Sequence, residues 1–528
     1  MAEIALSLSG GGYRAAMFHL GTLSYLNHLK YEDGHTFLHD VKTISTISGG
    51  TITGLWYVMN VCRGNNVVES FRELATLLKE VDLPGNAIRN LVGGDEDICS
   101  LIRVMVSLYD DCFFHGETFK LILDSIDKIH IHHFSANGTD FDNGLPFRFQ
   151  ATKKIINARP EYSRGLIGNK FNVLDWRIAK QIRLSEILAV SSCFPGGFEP
   201  MCFPKDFSFS CKQENLLYVE KCKKINLMDG GIVDNQGIEP LILANTHLSY
   251  DHLEAHSNPE YPCLDLLIIS DVASPYINSS DFFKSVSNST ISFHLIEKVV
   301  NWSLLLLLIL LFVFINYSLI FWIGVSVALF FVTLFVKILL CYLTGKIKNL
   351  LKNAPFSVEW SMIRDISLHK ISVMMVSRFN SLLNLASSVF MKPIRQMRYR
   401  SVYQNKMWKN RCVSNNLSEL ASDGCWNKKK NYPKYLIPSD SMKKNSDLAK
   451  ALGTTLWFTE EDIQKGVPDA LYCAGQYTIC MNLLEYIDKL KKDNSNTNKE
   501  HCKILTLEDQ LRKDWEAFKQ NPNVFCDI

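Results

Sequence analysis

The sequence shows no excess of either charge: Lys and Arg number 56 against 54 Asp and Glu. A chain so balanced gives no global electrostatic case for a nucleic-acid partner. It lacks any metal-type Cys-x-x-Cys pair. Its 15 cysteines are dispersed, which points to free thiols in a reducing compartment and gives no ligand set for a metal. The start, Met1-Ala2-Glu3-Ile4-Ala5-Leu6-Ser7, has neither a basic stretch nor a long apolar run, so no signal peptide is expected. Internal repeats and long low-complexity segments are absent. The last absence is the most informative: no charged residue lies between Lys298 and Lys337.

One helix through that run would be about 57 Å long at ~1.5 Å per residue, against a hydrocarbon core of ~30 Å. Asn316-Tyr317-Ser318 offers a polar turn near the middle, so two spans are expected, Val299–Ile315 and Leu319–Val336. Lys298 precedes them; Lys337, Lys346, Lys348 and Lys352 follow. Basic residues on both flanks predict a hairpin with both ends on the cytoplasmic side. Trp302 and Tyr342 would mark one interface, Tyr317 and Trp322 the other. A re-entrant loop and a helical pair buried in a soluble core are the alternatives.

What the chain does contain is three short glycine motifs. Ile4-Ala5-Leu6-Ser7-Leu8 reads as a strand, followed by Ser9-Gly10-Gly11-Gly12-Tyr13-Arg14 and a helix to Leu29. Glycines let consecutive N–H groups converge on one oxygen, as an acyl-transfer transition state requires. Arg14 would add charge or brace the loop. No lysine follows in P-loop spacing, and Ala15 stands where a dinucleotide fingerprint has its third glycine. The second motif follows the β-branched strand Val41–Ile47: Ser48-Gly49-Gly50, then a helix. A serine at such a corner is pushed out of the backbone over a helix N-terminus. The usual elbow is Gly-x-Ser-x-Gly; here Thr46 holds the first glycine position. Thr46 passes only if its side chain does not meet the turning helix. The third is Met228-Asp229-Gly230-Gly231 at the end of a strand from Ile225. Asp229 can act there as a base for a serine proton. Asp234 is the rival carboxylate, expected to fix the loop. Each motif alone also fits an ordinary turn.

In this order, the three motifs resemble the patatin-like phospholipase family. The resemblance implies an α/β fold, a three-layer α/β/α sandwich, with a Ser–Asp dyad and no metal or other cofactor. Ser48 would be the nucleophile, Asp229 the base, and Gly10, Gly11, Gly12, Arg14 and Gly49 the oxyanion and substrate-binding site. His19-Leu20-Gly21, Phe134–Asp140 and Leu184–Pro195, ending in Phe198-Glu199-Pro200, extend the likeness over residues 1–275. The expected activity is cleavage of acyl esters of phospholipids or lysophospholipids. Rival readings are an acyltransferase or thioesterase, a catalytically silent lipid-binding scaffold, and a histidine-dependent hydrolase using His19, His115, His130, His132 or His133.

The expected organisation is a catalytic domain at 1–290, a transmembrane helical hairpin at 299–337 and a mainly helical, basic region at 338–528. Lys392, Arg395, Arg398, Arg400, Lys406, Lys409 and Arg411 run without an acid between them, interleaved with Tyr399, Tyr403 and Trp408. Lys428, Lys429, Lys430 and Lys434 continue the pattern. Beside a membrane hairpin, segment 392–434 is expected to meet anionic lipid headgroups rather than nucleic acid. Further on, Thr459 reads as a helix N-cap, 470–490 as an amphipathic helix, 493–498 as a polar linker and 505–519 as an exposed last helix. Composition gives no oligomeric state.

Overall fold

The computed structural model describes residues 3–93, 100–153, 166–209, 223–252, 264–272, 291–352, 364–385, 389–428, 432–492 and 503–528. Lys429, Lys430 and the expected linker 493–498 lie outside the described residues. Contacts divide the chain into two units: Met1–Ile277 with Ala386–Ile528, and Asn278–Leu385.

The first unit is built on one mixed sheet. Its strands are β1 (Ile4–Leu8), β2 (Val41–Ile47), β3 (His133–Asp140), β4 (Leu145–Thr152), β5 (Met201–Phe203), β6 (Ile225–Asp229), β7 (Leu266–Asp271) and β8 (Cys412–Asn416). They lie in the order β5-β6-β3-β2-β1-β7-β8, with β4 also on β3. β1 is parallel to β2 and β7, β2 to β3, and β7 to β8. β4 and β6 run antiparallel to β3, and β5 to β6.

Alternate side chains enter opposite faces, as the strand repeat of two demands. Ile4, Leu6 and Leu8 join the main core, while Ala5 joins a second core with Ile238, Leu267, Ile269, Val402 and Trp408. Both faces are therefore covered, the normal condition of parallel strands. The main-core face carries α1 (Gly12–His28) and α2 (Gly49–Arg63). Further elements are α3 (Leu184–Ser192), the single turn α4 (Gly231–Asp234), α7 (Met391–Tyr403), α8 (Val467–Lys492) and α9 (Glu508–Gln520).

Two helices differ from expectation. α8 is buried around nearly its whole circumference as far as Ile487, rather than amphipathic. It crosses α1 at two glycines: a Cβ on Gly21 would lie 1.9 Å from Tyr472 O, and one on Gly475 2.1 Å from Phe18 O. α9 is not simply exposed, because Leu511, Trp515 and Phe518 are buried. Thr459 is an N-cap as expected, in a reciprocal capping box with Asp462.

The second unit contains α5 (Phe293–Asn316) and α6 (Ile320–Lys352), which enter their turn through Tyr317 and Ser318, the latter at φ 54°. Both helices are long and apolar enough to cross a membrane. α5 contains the first expected span and runs past it; α6 starts at Ile320, one residue inside the second, and continues through Lys337, Lys346 and Lys348. Phe312, Ile320, Phe321 and Phe335 are exposed. A helical pair buried in a soluble core would not leave them so.

Candidate active site

Strand register explains how Ser48 and Asp229 meet. β2 ends with Ile47 beside Asn137 of β3. β6 ends with Asp229 beside Gly138, the next residue of the same strand. The two strands thus arrive on one flank of β3 from opposite directions, one residue apart. Ser48 caps α2 with φ 50° and ψ −121°, a left-handed backbone that non-glycine residues rarely adopt. Its N–H donates to Ser191 Oγ at 2.9 Å, and Ser191 Oγ donates to Asn137 O at 2.7 Å. The corner is therefore tied to α3 and β3.

Thr46 does meet the helix, at a place prepared for it. Its Cγ2 fills the position a side chain on Gly54 would take, 2.2 Å from an ideal Cβ there. Thr51 Oγ1 donates to Thr46 Oγ1 at 3.1 Å, and Thr46 Oγ1 to Ser135 O at 3.3 Å. The glycine of the usual elbow has in effect moved to position 54.

Asp229 is buried. Its Oδ1 accepts the Gly231 N–H at 2.6 Å, and the Ser48 hydroxyl is close enough to act on the carboxylate's pKa. Burial pushes its pKa up from 3.8 to about 7, against the smaller opposing pull of the Gly231 amide and the Ser48 hydroxyl. Such a group takes up and returns a proton near neutrality. Asp234 is spent differently: its Oδ2 accepts the Glu239 N–H at 2.8 Å.

The glycine loop packs directly on the serine. A Cβ on Gly10 would lie 3.1 Å from Ser48 Cβ, and one on Gly49 2.1 Å from Gly12 O. Gly10 N–H donates to Asn235 O and Tyr13 N–H to Thr455 O. Among the described residues, the N–H groups of Gly11, Gly12 and Gly49 have no protein acceptor. They sit where α1 and α2 begin, so both helix dipoles favour negative charge there. Arg14 is a brace: Nη1 donates to Leu452 O at 2.9 Å.

No described histidine is hydrogen-bonded to Ser48. His19 is wholly buried between Ser9 O (3.0 Å) and Ser270 Oγ (2.9 Å), with its pKa pushed down to about 4 by desolvation. His130 meets Tyr57, His132 meets Glu3 and His133 meets Thr152.

The motifs gave no sign of the bracing supplied by the C-terminal half. Thr455 O holds Tyr13, and Phe458 lies 5.7 Å from the Tyr13 ring. α7 grips the opposite side. Arg395 Nε and Tyr399 Oη each donate to Asp271 Oδ2 at 2.9 Å, and Arg398 pairs with Glu239 and donates to Val233 O. Met391 Cε comes within 3.3 Å of a Cβ built on Gly231. Arg395, Arg398, Tyr399 and Trp408 are thus engaged inside the protein, not presented to lipid. Arg395→Ala removes the cation that bonds directly to Asp271, a fully buried carboxylate. The expected loss is ~3 kcal/mol or more, measured as a lower urea midpoint.

An elbow serine, a carboxylate and acceptor-free amides at the carboxyl edge of a mixed α/β sheet are the parts of a serine acyl hydrolase. Residues 6–242 match the patatin-like phospholipase family and form a domain of that family. A domain of this family implies lipid acyl hydrolase activity on a lipid substrate. No curated protein matches the chain. Among solved structures, VipD from Legionella pneumophila is similar at 11% identity, over 99% of this chain and 88% of that one, with a TM-score of 0.27.

Proposed function

We propose that the protein is a membrane-anchored serine lipid acyl hydrolase that cleaves acyl esters of phospholipids or lysophospholipids through a Ser48–Asp229 dyad. The observation that supports this reading is the strand register that sets Ser48 next to a buried carboxylate poised near neutrality. Asp229 takes the hydroxyl proton as Ser48 Oγ attacks the ester carbonyl. Gly11, Gly12 and Gly49 N–H groups meet the oxyanion, while Gly10 and Arg14 hold the loop in place. Asp229 returns the proton to the leaving alkoxide, and water then releases the acyl group by the reverse sequence. The hairpin at 299–337 keeps the site beside a bilayer-resident substrate, with both flanks on the cytoplasmic side. Headgroup contact in 392–434 falls to bases other than Arg395 and Arg398.

The test is fatty-acid release from mixed phospholipid vesicles by the detergent-purified full chain, with Ser48→Ala alongside. Release by the wild type alone is expected. Equal release from both would remove Ser48 from the mechanism, and none from either would favour a silent scaffold.

A further inference from the structure

We propose that the loop 166–180 is a lipid-surface docking element, which seats the first unit on a phospholipid interface through exposed aromatic side chains. The inference rests on the lipid hydrolase reading for its choice of partner, but not for its geometry. Phe171 is 61% exposed, Val173 52% and Trp176 58%, all within six residues; Phe141, 51% exposed, follows the strand that anchors the loop. Single exposed apolar residues are ordinary on protein surfaces; a cluster with polar surroundings is the mark of an interaction site.

The loop is held rigidly while its apolar side chains stay outside. Asp140 Oδ2 accepts Asn169 Nδ2 at 3.0 Å and Asn172 Nδ2 at 2.7 Å. Asn169 Oδ1 accepts the N–H groups of Phe171 and Asn172, both at 2.9 Å. Gly168 exchanges two backbone hydrogen bonds with Arg148 of β4, and Leu174 N–H donates to Ile167 O. Asparagine and aspartate are thereby committed to the scaffold. Phe171 and Val173, which the same turn places between them and after them, are left uncovered.

Chemistry and position together select a lipid surface. Lys170 Nζ lies 4.8 Å from the Phe171 ring and Lys180 Nζ 4.7 Å from the Trp176 ring. Lys180 also pairs with Asp124, and Arg177 with Asp175; Lys170 has no ion pair among the described residues. An aromatic ring with an ammonium beside it suits the boundary between acyl chains and anionic headgroups. The anchor, Asp140, ends β3 two residues beyond Gly138, the partner of Asp229. At ~3.3 Å per residue that is ~7 Å along one strand. A bilayer seated on this loop would bring acyl esters to the edge of the sheet where Ser48 stands.

The experiment uses the full chain reconstituted in equimolar phosphatidylcholine–phosphatidylglycerol vesicles. The variants are Phe171→Ser with Trp176→Ser, and separately Trp176→Phe. The double variant is expected to lose ~10-fold or more in fatty-acid release from vesicles, as removal of two partly buried aromatic contacts predicts. Hydrolysis of a soluble short-chain ester should change less than ~2-fold on the same scale. Unchanged vesicle release overturns the proposal. So does a parallel loss on both substrates, which would make the loop structural. Docking is also read without activity: brominated phosphatidylcholine should quench the emission lost in Trp176→Phe relative to wild type. An unquenched difference overturns the docking. If the wild type hydrolyses neither substrate while this quenching persists, it is the hydrolase reading that fails.

Discussion

Ser48→Gly and Ser48→Ala will both lose fatty-acid release, by ~10³-fold or more, and the glycine variant will be the more stable of the two. The loss follows from removing the only atom of the corner able to form the acyl bond. The difference in stability isolates something else. Both variants lack the hydroxyl and leave Asp229 with the same remaining partner, the Gly231 amide. They differ in whether a Cβ must be carried at φ 50°, ψ −121°. Such a conformation costs a non-glycine residue ~1–3 kcal/mol, and glycine adopts it freely. Against this, glycine gives the unfolded chain more entropy, ~0.4–1 kcal/mol. The net expectation is a glycine variant more stable by ~1 kcal/mol, read from paired urea melts. An alanine variant at least as stable would mean that the corner stores no strain. The strained corner sets Ser48 at the N-terminus of α2, and the ties from Ser191 to Ser48 and Asn137 keep it there.

The elements carrying the candidate site were legible because each is a local pattern. β1, β2 and β6 are apolar runs cut off by glycine or by Ser-Gly, and their limits match the sequence reading residue for residue. Thr46 was legible as a departure from the usual elbow, but its remedy was not. Gly54 looks like any helix glycine until the fold brings Thr46 Cγ2 against it. The bracing was illegible for the same reason. Arg395 and Arg398 read as part of a basic stretch; their partners Asp271, Glu239 and Val233 lie more than a hundred positions away in the chain. α8 was misread as amphipathic because some of its polar residues bond inside the protein rather than to water. Gln476 donates to Phe525 O at 2.9 Å and Asn482 to Glu419 at 3.1 Å. Two facing glycines, at 21 and 475, then let it approach α1 too closely for any solvated face. β8 has the same character: five residues after the long insertion, joining the sheet edge only because β7 is there.

Asp229→Asn will abolish turnover and, above neutral pH, raise the melting temperature. Among the described residues, Asp229 is the carboxylate that acts on Ser48 at close range, and an amide cannot take its proton. For the wild type, kcat/KM should rise with pH through an inflection near 7, because only the ionised form is a base and burial holds its pKa at about 7. The stability consequence has the opposite sign. The folded pKa lies above the unfolded value of 3.8, so the native state binds the extra proton between the two. The stabilisation this gives is complete below ~4 and is lost as pH rises through ~7. At pH 8 the ionised, buried carboxylate costs a few kcal/mol, about 1.4 for each unit of the shift. Asparagine keeps an oxygen for the Gly231 N–H and turns an N–H toward Ser48 Oγ, so it retains both contacts without the charge. Melting curves at pH 4 and pH 8 should therefore show the variant close to wild type at the lower pH and above it at the higher. A variant less stable than wild type at pH 8 would mean that Asp229 is stabilised as an anion in the fold, and the base would then need another name. The expected result instead makes the site a place where stability is given up for a carboxylate basic enough to activate a serine without histidine.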